Sequence, residues 1–189
     1  MPLDHSYQYH DGRAAFDCYE QYPDRKWEIW DGTSSEMAMA ELLYSLVRML
    51  KPKLVVETGC YTGHSTYYLA MAVKKNDYGR VISIDIELDC INKARERCAG
   101  FEDVCEIRHG NVCGGLPELE AADFIFSDSG YEMRFKEMER AKAGAVVVVH
   151  DTDMSYDGRY KPGALGDKVN ELGGLCFHAG RGFGVIVKP

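Results

Sequence analysis

Met39, Leu42, Leu43, Leu46, Val47 and Leu50 recur at three- and four-residue spacing, which predicts an amphipathic helix. Thr33-Ser34-Ser35-Glu36 ahead of them is a capping-box-like start, and Pro52 closes the segment. The pattern then shortens. Leu54–Glu57, Val81–Ile86, Cys105–His109, Phe124–Ser127 and Ala145–Val149 are brief β-rich runs, separated by helical stretches near 64–75, 88–98 and 131–142. Val146-Val147-Val148-Val149 is apolar on both faces, as a covered central strand requires. Residues 163–172 predict one more helix, closed by Gly173-Gly174, and Leu175–Ala179 and Phe183–Val187 flank Gly180-Arg181-Gly182 as a terminal antiparallel hairpin.

Strands separated by helices of about ten residues need right-handed crossovers, so the fold class is α/β. We expect a doubly wound, mainly parallel seven-stranded sheet with helices on both faces. The 189 residues, 46% hydrophobic and 28% charged, suit a single globular domain, 1–189. Its first part differs from the rest: seven of 21 aromatic residues (12 Tyr, 7 Phe, 2 Trp) fall within residues 1–32 without clear periodicity. These are Tyr7, Tyr9, Phe16, Tyr19, Tyr22, Trp27 and Trp30, read as an aromatic cap on an α/β core of residues 33–189. Such a cap can cover an active site or a second copy of the chain, so a homodimer is one expectation.

With 22 basic and 30 acidic residues the net charge is −8, which disfavours a nucleic-acid partner. The N-terminus shows no basic stretch followed by an apolar run, and the longest apolar run, Ala143–Val149, is too short to span a bilayer. A cytoplasmic protein without a membrane partner is expected. The seven cysteines, at 18, 60, 90, 98, 105, 113 and 176, form no C-x-x-C pair and read as reduced thiols without zinc spacing.

Val55-Val56-Glu57-Thr58-Gly59-Cys60-Tyr61-Thr62-Gly63-His64-Ser65-Thr66 is a strand, a glycine loop and a helix start, the place where doubly wound sheets bind ligands. A dinucleotide site asks for G-x-G-x-x-G, but Tyr61 and His64 stand where the second and third glycines belong, and a pyrophosphate would collide with Tyr61. S-adenosylmethionine carries no phosphate, and a carboxylate such as Glu57 can hold its ammonium group. Asp85, ending the next strand, can accept both ribose hydroxyls.

These residues resemble the catechol O-methyltransferase-like and macrocin O-methyltransferase-like branches of the class I methyltransferases, whose first motif reads approximately V-E-x-G-x-x-x-G-x-S. Val56, Glu57, Gly59, Gly63 and Ser65 match it, and the resemblance runs from about Ser34 to Val187. It implies S-adenosyl-L-methionine as cofactor, with Glu57, Gly59, Tyr61, Gly63, His64 and Ser65 on its methionine and ribose side. Asp85 would then hold the ribose hydroxyls and Ile86 the adenine, with Gly110 and Asn111 as further adenine contacts. The implied strand order is 3-2-1-4-5-7-6.

Asp128 and Asp151 each follow a central strand, and Asp128 falls at the switch point if the strands ending at Glu57 and Ser127 are neighbours. Carboxylates converging there suit Mg²⁺, with Asp128, Asp151 and Asp153 as candidate ligands. Such an ion would lower the pKa of a substrate hydroxyl. The chain departs from the family in two places: Asp151 is followed by Thr152, and Tyr131 stands where the catechol-type enzymes have a lysine base. The macrocin-like D-G-x-H-x-Y-E pattern also loses its histidine within Asp128-Ser129-Gly130-Tyr131-Glu132. His150 and Tyr131 are therefore the candidate bases beside Asp128. The expected activity is O-methylation of a small hydroxylated acceptor by in-line displacement, with or without a metal. A cofactor-binding module without transfer, and an NAD-dependent oxidoreductase, are the alternatives.

Overall fold

The computed structural model describes residues 16–17, 28–29, 34–111, 116–153 and 161–189. The aromatic cap lies outside these residues, except for the backbone of β1 (Phe16–Asp17) and β2 (Glu28–Ile29), which pair antiparallel. There follow α1 (Met37–Leu50), β3 (Leu54–Thr58), α2 (His64–Asn76), β4 (Arg80–Asp85), α3 (Leu88–Arg97) and β5 (Cys105–His109). The second half continues with α4 (Pro117–Ala121), β6 (Phe124–Ser127), α5 (Tyr131–Arg140), β7 (Val146–His150), α6 (Ala164–Glu171), β8 (Leu175–Phe177) and β9 (Phe183–Val187).

Seven strands form one sheet in the order β5-β4-β3-β6-β7-β9-β8. Counted from the strand at Leu54, this is the expected 3-2-1-4-5-7-6. All neighbours run parallel except β9, which is antiparallel to both β7 and β8. Successive strand side chains point to opposite faces, so each parallel strand feeds two apolar layers. Val55, Val81, Phe124, Phe126 and Val148 meet Met39, Leu43 and Val47 of α1 and Leu69 and Val73 of α2. Val56, Ile82, Ile125, Val147 and Val149 meet Leu119, Met138, Leu165 and Val169 of α4, α5 and α6 on the other side.

Two local expectations change. The first helix begins at Met37 rather than at the capping box, and Glu36 is its cap residue with no capping hydrogen bond from its side chain. Its carboxylate turns instead toward His150 and Arg181, where charge-assisted hydrogen bonds outweigh a bond to one helix-end amide. The short α4 was not foreseen, because five residues carry no readable period. Among the described residues no helix is long and apolar enough to cross a membrane.

Candidate functional site

The parallel strands β3, β4, β6 and β7 end at the same edge of the sheet, and the chain leaves β3 in opposite directions through β4 and β6. This switch point opens a cavity of about 500 Å³, lined at one end by Gly59, Tyr61, His64, Asp85, Ile86 and Gly110. Its other end is formed by Ser35, Asp128, Ser129, Arg134, Asp151 and Arg181.

The first end is built by short-range bonds. Asp85 accepts the Tyr61 amide at 2.8 Å on one carboxylate oxygen and the Glu87 amide at 3.0 Å on the other. That grip holds Tyr61 at a φ of +46°. Gly59 has a φ of +83°, and a Cβ there would stand 2.3 Å from the Asp128 carbonyl, so only glycine lets the two loops touch. Ile86 is a large apolar side chain left 57% exposed on the cavity wall. Cys60 and Cys98 are buried free thiols whose pKa values burial pushes up, which fits inert core thiols.

Glu57 is fully buried and is not among the residues lining the cavity. Its Oε2 accepts hydrogen bonds from Thr66, at 2.5 Å, and from Ser83, so the carboxyl fastens the start of α2 to β4. Burial raises its pKa to about 7 against the lowering pull of the Ser65, Ser83 and Thr66 hydroxyls. Gly63 is the left-handed cap of α2, packed on Ala94, and neither it nor Asn111 lines the cavity. His64 and Ser65 do line it.

The second end is a buried charge cluster. His150, ending β7, places Nε2 at 2.6 Å from Glu36 and Nδ1 at 3.1 Å from Asp128. Burial alone would lower the His150 pKa, but the carboxylates of Asp128, Asp151 and Glu36 overcome it and raise the value to about 10. That direction, with a carboxylate facing each ring nitrogen, favours the charged ring at neutral pH. Burial would raise the Glu36 pKa, yet His150 and Arg181 hold it down at about 2. Arg181 donates its backbone N–H to Glu36 at 2.8 Å and its guanidinium to the Ser34 carbonyl at 2.8 Å. Asp151 stands at a φ of +59°, a left-handed position uncommon outside glycine.

Asp128, His150 and Asp151 can each offer a ligand atom within 4.8 Å of the others. The arrangement nevertheless does not fit a divalent cation. Arg134 donates to Asp151 at 3.1 Å and meets Asp128 at 3.1 Å, so a guanidinium already spans the two carboxylates. Both His150 ring nitrogens face carboxylates, and Asp153 lies apart, accepting from His178 at 2.9 Å. Tyr131, the other candidate base, is buried in the core against Phe135 rather than lining the cavity.

Glu36, Arg134 and Arg181 were not candidates from the sequence. One signal was present for Arg134: it lies three residues after Tyr131 and four before Met138, on the apolar stripe of α5. Glu137, beside that stripe, is also buried and accepts from Thr58 at 2.8 Å and Ser129 at 2.6 Å, shaping the loop that presents Asp128.

A family model described as a methyltransferase domain matches residues 56–152, a little over half of the chain. Among solved structures, the chain is similar to an O-methyltransferase of Bacillus cereus in complex with S-adenosylhomocysteine, with 19% identity over 84% of each chain and a TM-score of 0.66. It is also similar to TomG of Streptomyces achromogenes, an O-methyltransferase involved in tomaymycin synthesis, in complex with S-adenosylmethionine. That likeness has 21% identity over 82% of each chain and a TM-score of 0.62. A methyltransferase from Geobacter sulfurreducens shares 22% identity over 80% of this chain and 78% of its own, with a TM-score of 0.62. At these identities the likeness is one of fold.

Proposed function

The chain belongs to the methyltransferase-domain family that its residues 56–152 match, and from that membership we propose that it methylates a hydroxyl of a small acceptor with S-adenosylmethionine. The observation that carries this reading is a single cavity running from Asp85 to Asp128 past Gly59. Each Asp85 oxygen takes one backbone amide, and each retains a lone pair for a ribose hydroxyl. The exposed face of Ile86 suits the adenine ring. The structural neighbours from Bacillus cereus and Streptomyces achromogenes bind S-adenosylhomocysteine and S-adenosylmethionine, which supports the same cofactor here.

When bound, the cofactor supplies an electrophilic methyl group, and the protein's task is to align an oxygen in line with it. Asp128, with its side chain 14% exposed against 2% for Asp151, is the acid of the cluster able to accept the acceptor's hydroxyl proton in a hydrogen bond. His150 and Arg134 hold Asp128 in position. Tyr61 and His64 stand on the glycine loop where a dinucleotide site has its second and third glycines, which argues against a nicotinamide cofactor.

Isothermal titration calorimetry with S-adenosylmethionine, S-adenosylhomocysteine and NAD tests the reading. Binding of the first two is expected, and tight NAD binding with no S-adenosylmethionine binding would remove it. One observation favours a second reading, a cofactor-binding module without transfer: neither His150 nor Tyr131 offers a base to the cavity. Transfer of a labelled methyl group to any hydroxylated acceptor eliminates that alternative.

A further inference from the structure

Arg134 makes four directed contacts. Its Nε donates to the Ser129 carbonyl at 2.7 Å, and one terminal nitrogen donates to the His150 carbonyl at 2.7 Å and to Asp151 at 3.1 Å. The other terminal nitrogen meets Asp128 at 3.1 Å. Two of the four partners are the acids that a divalent cation would bridge at this switch point, and the other two are the carbonyls beside those acids. The planar fork is therefore fixed from both loops, and its side chain is only 5% exposed.

We propose that the Arg134 guanidinium is the permanent cation of this site, standing where a divalent metal would bridge Asp128 and Asp151, so that methyl transfer here needs no metal. The assignment rests on the methyltransferase reading for its consequence but not for its geometry. An incoming cation would have to expel a guanidinium from a buried, fully directed position, leaving that charge without its carboxylates. It would also enter a cluster in which Glu36, Asp128 and Asp151 are already met by Arg134, Arg181 and the His150 ring. Asp128 Oδ1 and Asp151 Oδ2 are thereby turned to N–H donors rather than to a shared ion. Arg134 supplies the fixed positive charge beside the acceptor's oxygen.

Mn²⁺ is the probe, read by electron paramagnetic resonance of the free ion at equal protein and metal concentrations. The wild-type protein is expected to leave the free-ion signal undiminished. Arg134→Met removes the guanidinium while keeping the apolar stem, and the signal is expected to fall, then recover when Asp151→Asn is added. Circular dichroism reports whether each variant is folded, and Arg134→Gln carries the same test if Arg134→Met is not. Attenuation by the wild-type protein that Asp151→Asn abolishes overturns the proposal. So does a folded Arg134 variant that binds no more Mn²⁺ than the wild type. Calorimetry with S-adenosylmethionine is run separately, so a protein silent to both Mn²⁺ and the cofactor would sink the functional reading and leave the Arg134 assignment standing.

Discussion

The two ends of the cavity are held together by different kinds of contact. At the glycine-loop end, Asp85 grips Tyr61 across 24 residues, and the loop hydrogen-bonds to the strand beside it. At the charged end, Glu36 reaches His150 across 114 residues and Arg181 across 145. A ligand surface can thus be written into one strand-loop-helix unit, whereas the charge cluster exists only where several remote segments meet. The first end should tolerate changes in the second, and substitutions can break or sharpen that contrast.

The largest effect is expected from Glu36→Ala, which leaves His150 and Arg181 buried without their shared carboxylate. A loss of about 3–5 kcal/mol is expected in urea denaturation. The protein that remains folded should still bind S-adenosylmethionine with little change by calorimetry. A comparable collapse of cofactor affinity in folded protein would show that the two ends are not independent.

Next comes a paired test. Asp85→Ala removes two charge-assisted hydrogen bonds and the ribose acceptor, so cofactor affinity should fall by about 1.5–3 kcal/mol, roughly tenfold to a hundredfold. Asp128→Asn should chiefly lower kcat. Equal losses of cofactor affinity in both variants would contradict the division of roles.

The contrast also explains what could be read from residues alone. The alternation of strands and helices and the Gly59 to Asp85 unit were legible because their periods, glycines and turn residues are contiguous, whereas the strand order followed from the family resemblance. Glu36 was read as part of a capping box because that is what a Glu three residues after Thr33 does when nothing else attracts it. The attraction came from His150 and Arg181, whose proximity no local pattern encodes. Glu57 sits in the expected motif, while Thr66 and Ser83, which no local pattern pairs with it, turn its carboxyl inward. Arg134 was visible only as a charge on an apolar stripe, a feature that marks burial without naming the partner.

A third effect separates the ends by pH. The Glu57 carboxyl has a folded pKa of about 7, above its ordinary 4.5, so folding is favoured while it is protonated. Stability should fall as pH rises from 4.5 to 7. His150, raised from 6.5 to about 10, stabilises fully below 6.5 and loses that contribution as pH rises toward 10. Glu36, lowered to about 2, protects above 4.5 and fails as pH falls toward 2. Denaturation midpoints across pH should therefore decline from mildly acid to alkaline conditions. Glu57→Gln should flatten only the portion between 4.5 and 7, and an unchanged slope there would refute the assignment.

The smallest effect is expected at Ile86. Because it is largely exposed in the free protein, Ile86→Ala should shift stability by no more than about 0.5 kcal/mol. Cofactor affinity should still drop measurably in calorimetry, and an unchanged affinity would take the adenine face elsewhere.

The long reach of Glu36 sets an order of events during biosynthesis. The ribosome releases Asp85 and Asp128 well before Arg181, and short loops close sooner than long ones. A nascent chain can accordingly shape its glycine-loop half while Glu36 still lacks its last partner. The charged half is completed only when the hairpin carrying Arg181 emerges and docks.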